Sequence, residues 1–180
     1  MNARIFGGSN SFDLFCETQR FRQLWLWALL LSVAGLVWYI AINQLVFGIK
    51  VGDKPAPNVV AAGLCVGFGI ILPGLFAVVR MQTTIDSTGI RVAWLPYRFT
   101  AVRCYWAQIE SWKIRRFRPI TEFGGWGVRN GTGGCRAVTM SGNVGLELIL
   151  RDGTRYLIGT QRTREIEQAM LACSKIGQAI

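Results

Sequence analysis

The chain contains no histidine. That removes Ser-His nucleophilic catalysis, the commonest general base and most zinc sites. Its five cysteines, Cys16, Cys65, Cys104, Cys135 and Cys173, are far apart and form no CxxC pair. They read as free thiols in a reducing compartment, not as a disulfide framework or a metal site. Acidic residues are scarce as well, 10 against 20 Lys and Arg. Glu110, Glu122 and Glu147 fall in alternating or loop contexts where a solvated side chain is expected, so the sequence yields no catalytic pair and implies neither enzyme nor cofactor.

Charge is missing altogether from two long stretches. Leu24 to Phe47 has no charged side chain, and neither has Pro55 to Val79. A helix needs about 20 apolar residues to cross roughly 30 Å of hydrocarbon, so each stretch suffices for a transmembrane helix. Asp13 and Glu17 precede the first, whose apolar run is too long for a cleaved signal peptide; it is expected to persist. No ionisable group interrupts either span, which argues against a transporter or proton path.

Cations orient the hairpin. Arg20 and Arg22 precede the first span and Arg80 and Arg91 follow the second, while the connector offers Lys50 and Lys54 against Asp53. This bias favours both termini in the cytoplasm. The segment 80–180 carries 15 of the 20 basic and 7 of the 10 acidic residues, and a basic domain beside an anionic leaflet is attracted to it. The expected division is 1–23 as a cytoplasmic segment, 24–47 and 59–79 as transmembrane helices, 48–58 as a short external loop and 80–180 as a cytoplasmic domain. Phe12, Phe15, Phe21 and Trp25 with Arg20 and Arg22 make the first segment either an interfacial stretch or a plain lead-in.

Small residues mark both spans: Ala28, Ser32 and Gly35 in the first, Gly63 and Gly67 in the second. Such stripes let helix backbones approach closely, and a connector this short makes antiparallel packing within one hairpin their expected use. Homodimerisation through Gly63 and Gly67 is the alternative. Pro73 is expected to bend the second helix.

Beyond Thr83 the period falls to two. Ile90, Val92 and Trp94 alternate, as do Val144, Leu146, Leu148 and Leu150, and Asp152-Gly153 marks a hairpin before "RYLIGT". Ile166, Ala169, Met170 and Cys173 then recur at i, i+3, i+4 and i+7, giving one amphipathic helix. About seven antiparallel strands and a closing helix suggest a small capped barrel.

Two patterns are candidates for interaction. In "KIRRFR", Lys113 and Arg115 share one strand face and Arg116 and Arg118 the other; anionic lipid headgroups are the functional reading, a solvated positive face the plain one. The stretch "FGGWGVRNGTGGC" packs six glycines between Phe123 and Cys135. It lacks the Gly-Lys-Ser/Thr ending of a phosphate loop and has no full GxGxxG. Trp126 either folds back as a plug or, with Arg129, faces a partner; the plug is the expectation.

The stretches "STGIRVAWLPY", "FGGWGVR" and "SGNVGLELILRDGTRYLIGTQRTREIEQAM", behind a two-helix hairpin, resemble bacterial membrane proteins that carry a pleckstrin-homology-like cytoplasmic domain. Such chains open the last helix "GTQRP", where this one has Thr163. The resemblance implies a bacterial plasma-membrane protein with a binding-type fold and, beyond lipid, a protein partner or its own copies as ligand. It assigns no functional residue, and membrane tethering makes nucleic acid an unexpected target.

Overall fold

A computed structural model describes residues 14–49, 51–52, 55–96 and 99–177; Phe12, Asp13, Lys50, Asp53 and Lys54, used above, lie outside these. The chain forms two compact units. One is Arg20–Arg80; the other joins Met1–Gln19 to Met81–Ile180.

The first unit is a hairpin of helices α1 (Leu24–Val46) and α2 (Asn58–Val78), each long and apolar enough to cross a membrane. Most of their apolar surface is uncovered by protein: Val59 is 84% and Leu36 60% exposed. The seam is built mostly from small residues, but not the expected ones. Leu30, Ala34 and Ala41 of α1 and Ala61 and Cys65 of α2 are buried. Trp38 donates its indole N–H to the Gly69 carbonyl at 3.4 Å, and a Cβ on Gly69 would stand 2.8 Å from that nitrogen.

Ala28, Ser32, Gly35 and Gly63 are instead exposed, and Cβ atoms built on Gly35, Gly63 and Gly67 would meet nothing within 4 Å. The expected hairpin packing is thus corrected by a rotation of each helix about its axis. At the far end Gln44 is buried and donates to the Asn58 side chain at 2.9 Å. Both helices contain one widened turn with i→i+5 bonding, Ile42–Val46 and Gly67–Ile71. The second lies just before Pro73, which has no N–H to keep the regular ladder.

The second unit holds two open sheets where a single barrel was expected. Strands β1 (Phe15–Arg20), β2 (Arg80–Ile85), β3 (Gly89–Leu95) and β4 (Phe99–Tyr105) form the first, in the order β1-β2-β3-β4. Strands β5 (Ile109–Arg116), β6 (Gly127–Asn130), β7 (Cys135–Thr139), β8 (Val144–Leu150) and β9 (Arg155–Gly159) form the second, in the order β5-β8-β9-β7-β6. Described pairings are antiparallel except β7 with β9, which is parallel. A short helix α3 (Pro119–Phe123) precedes β6, and α4 (Thr163–Gly177) closes the unit.

Alternation supplies the core. Met81 and Ile85, Ile90 and Val92, and Val102 and Cys104 are buried on one face of the first sheet, as are Leu146 and Leu148 on the second. Ile166, Ala169, Met170 and Cys173 of α4 are buried too, as the helical spacing required. Each fully buried Leu or Ile contributes about 1.5–3 kcal/mol. The ladder slips between Val92 and Ala93, and beyond the slip Trp94 is only half-buried.

β1 is the main departure from sequence. Residues 1–23 were read as a segment apart from the domain, yet Phe15, Glu17 and Gln19 are buried in strand alternation. Glu17 accepts from the Thr160 hydroxyl at 2.7 Å and the Gln161 N–H at 2.8 Å, and Gln19 donates to the Gly159 carbonyl at 2.8 Å. These bonds fix β1 to the end of β9 and the start of α4.

Candidate interaction sites

Lys113, Arg115 and Arg116 of the basic run lie on β5, whereas Arg118 lies beyond its end, just before α3, and so does not share a strand face with Arg116 as expected. Lys113 stands opposite Glu147 of β8 in the ladder. Lys113 Nζ is 3.2 Å and Arg115 Nε 3.1 Å from Glu147 Oε2, while Arg115 Nη1 is 2.8 Å from Glu122 Oε2. Glu122 also accepts from the Arg118 N–H at 2.6 Å, in the first turn of α3. Burial opposes the charge of Arg115, but the hydrogen bond it donates to Glu122 and the negative charge of Glu147 outweigh it and raise its pKa. The Arg118 N–H and then the Arg115 side chain hold the Glu122 carboxyl below its ordinary value.

Two of the four proposed lipid contacts, Lys113 and Arg115, are therefore engaged with carboxylates of the same unit. Arg116 and Arg118 remain exposed. Glu147, expected to be solvated, is only 4% exposed. Its neighbours in sequence hid this: Leu146 and Leu148 mark the core face, so Glu147 reads as facing water unless something covers the other face.

That cover is the glycine-rich segment. Phe117 and Phe123 meet edge to face, centroids 5.9 Å apart, and cluster with Cys135, Ala137 and Leu157 on the outer side of the second sheet. Pro119 starts α3, and Gly124 ends it at φ 70°, a left-handed conformation that glycine adopts without strain. A Cβ on Gly131 would lie 2.3 Å from the Phe123 ring, so this glycine makes room for the plug.

The plug is Phe123, not the expected Trp126. Pro119 followed by Gly124 was the signal, since that pair brackets one helical turn. Trp126 is half-buried and donates its indole N–H to the Gly142 carbonyl at 3.0 Å. Arg129 is exposed and its Nε donates to the Trp126 carbonyl at 3.4 Å. The two residues come together, on and beside the edge strand β6.

A third feature was not foreseen. Between β1 and the first turns of α4 lies a groove of about 370 Å³, lined by Leu14, Phe15, Cys16, Arg162, Glu165, Gln168, Ala169 and Ala172. Arg162 spans its rim: it donates to the Cys16 carbonyl at 3.0 Å, pairs with Glu165, and its guanidinium lies 5.5 Å from the Phe15 ring centroid. Cys16 is exposed, whereas the other four cysteines are buried. Burial pushes the Cys104, Cys135 and Cys173 thiols up, Cys104 to about 11, which leaves them protonated and unreactive near neutrality. The groove was invisible in the sequence because β1 is separated from α4 by most of the chain.

Residues 10–176 match the model of a family of unknown function, DUF6141, and the chain belongs to that family. No curated protein and no solved structure matches it.

Proposed function

We propose that this chain is a non-enzymatic, multi-pass protein of the bacterial plasma membrane, both termini cytoplasmic, whose pleckstrin-homology-like domain is a protein-interaction module and accessory subunit. The groove between β1 and α4 carries the reading. It has the size of a side-chain-accepting cleft, an apolar floor at Phe15 and Ala169, and a polar rim at Arg162, Glu165 and Gln168. β1 is an edge strand of its sheet, and such edges accept an added strand. The occupant it suits is an extended segment of a membrane partner with one apolar anchor. The resemblance to pleckstrin-homology-like membrane proteins supports the same fold and use.

Cys16 provides the test. It is the exposed thiol of five, so a benzophenone maleimide labels it selectively in native membranes. Irradiation is expected to give one discrete heteromeric adduct, lost when Ala172→Trp fills the groove. No adduct, an adduct with the chain itself, or one indifferent to Ala172→Trp overturns the assignment.

A further inference from the structure

The outward side of the first sheet carries a charge arrangement that neither the basic run nor the groove accounts for. Arg91 of β3 and Arg103 of β4 stand directly opposite each other in the antiparallel register, and both are exposed. Like charges facing each other across strands destabilise a sheet. No salt bridge to either is found among the described residues. Arg103 lies against the Tyr105 ring, 5.1 Å from its centroid, which limits the arcs its guanidinium sweeps.

Asp86, in the β2–β3 turn, is the nearby carboxylate. Its Oδ1 is occupied by the turn itself, accepting from the Thr88 N–H at 2.7 Å, the Gly89 N–H at 3.1 Å and the Thr88 hydroxyl. The Asp86 N–H bonds the Gly89 carbonyl at 3.0 Å. Continued from that bond, the register sets Thr84 of β2 beside Arg91, with Arg103 beyond. Outward positions on β1 and β2 within this unit add Cys16, Thr18, Gln82 and Thr84, none of them acidic.

We propose that Arg91 and Arg103, with the Thr84 hydroxyl, bind a phosphate group on the outward face of the first sheet. Two guanidinium forks on directly opposed positions of adjacent strands suit the tetrahedral oxygens of a phosphate ester or free phosphate. A bound anion also offsets the repulsion between the two cations, which Asp86 relieves only in part on the Arg91 side. A phospholipid headgroup and free phosphate are the two sources of that chemistry. The site is separate from the groove and from Lys113 and Arg115, whose charges are already met.

The test uses the full chain in dodecyl maltoside, titrated with phosphatidylglycerol or phosphatidylcholine and read by native mass spectrometry. Wild type should retain phosphatidylglycerol preferentially, and R91Q/R103Q should lose roughly tenfold in that retention. R136Q/R151Q removes the same charge at two exposed positions outside every candidate site and should leave retention unchanged. Equal losses in the two double variants, or none in R91Q/R103Q, overturn the site.

Competition by inorganic phosphate at millimolar concentration separates the sources: displacement assigns the site to free phosphate, and no displacement assigns it to the lipid headgroup. Both substituted side chains are exposed and repel each other, so R91Q/R103Q should melt no lower than wild type. If it does not fold, R91Q and R103Q singly carry the same comparison.

Discussion

Arg115 Nε and the buried Glu147 Oε2 lie 3.1 Å apart across the β5–β8 ladder, and the same guanidinium reaches Glu122 at 2.8 Å. One cation thus ties the second sheet to the helix that covers it. Arg115→Gln leaves Glu147 with Lys113 alone. The expected loss is about 1–2 kcal/mol, below that of a fully buried pair, because Lys113 remains and the Arg115 side chain is 27% exposed. Urea unfolding of the full chain in detergent measures it; a loss no greater than that of Arg116→Gln would show that the contact contributes nothing special.

The same network predicts a dependence on pH. Glu122 is held below its ordinary value of 4.5 in the folded state. Its contribution is therefore complete above that value and is lost as pH falls through it towards the folded pKa. Thermal melts from pH 6 to pH 3 should show stability declining in the acid range, and Glu122→Gln should flatten the decline without abolishing it. Asp86 is lowered as well and supplies part of the remaining slope. An unchanged slope in Glu122→Gln contradicts the ion pair.

The hairpin seam is tested by glycine position. Gly69 faces the Trp38 indole, whereas a Cβ on Gly63 meets nothing within 4 Å. Gly69→Val should separate the helices and lower the melting temperature in detergent, by an amount typical of overpacking, about 1–3 kcal/mol. Gly63→Val should leave it nearly unchanged. The reverse order would restore the stripe of Gly63 and Gly67 as the packing face.

These outcomes bear on what one sequence reveals. Periodicity reports which face of an element is apolar, and it located the spans, the alternating strands and α4, where Ile166, Met170 and Cys173 are buried. It could not set helix rotation, because α1 and α2 are apolar all round and every stripe of small residues competes equally. Nor could it show that Phe15 and Glu17 lie beside Thr160, since that pairing depends on closure over most of the chain. Charge alternation set Lys113 and Arg115 on one face, where both meet Glu147, but it carried the strand past Arg116 to Arg118, which lies beyond its end. It was silent on Glu147, whose partners arrive from another strand and from the glycine-rich segment.

The glycine-rich segment is itself open to a direct test. Gly131 has an ordinary backbone, φ −92°, so an alanine there is not strained by conformation. The obstacle is space: its Cβ would overlap the Phe123 ring at 2.3 Å and approach the Glu122 carbonyl at 3.2 Å. Gly131→Ala must push Phe123 off Cys135 and Leu157, and with it the helix that holds Glu122 against Arg115. The expected cost is about 1–3 kcal/mol, together with faster alkylation of Cys135, now 4% exposed. Gly131→Ala combined with Phe123→Ala removes the overlap, so their losses should be less than additive. Strict additivity would mean that the ring and the glycine do not share the same space, and the plug would have to be sought elsewhere in the segment.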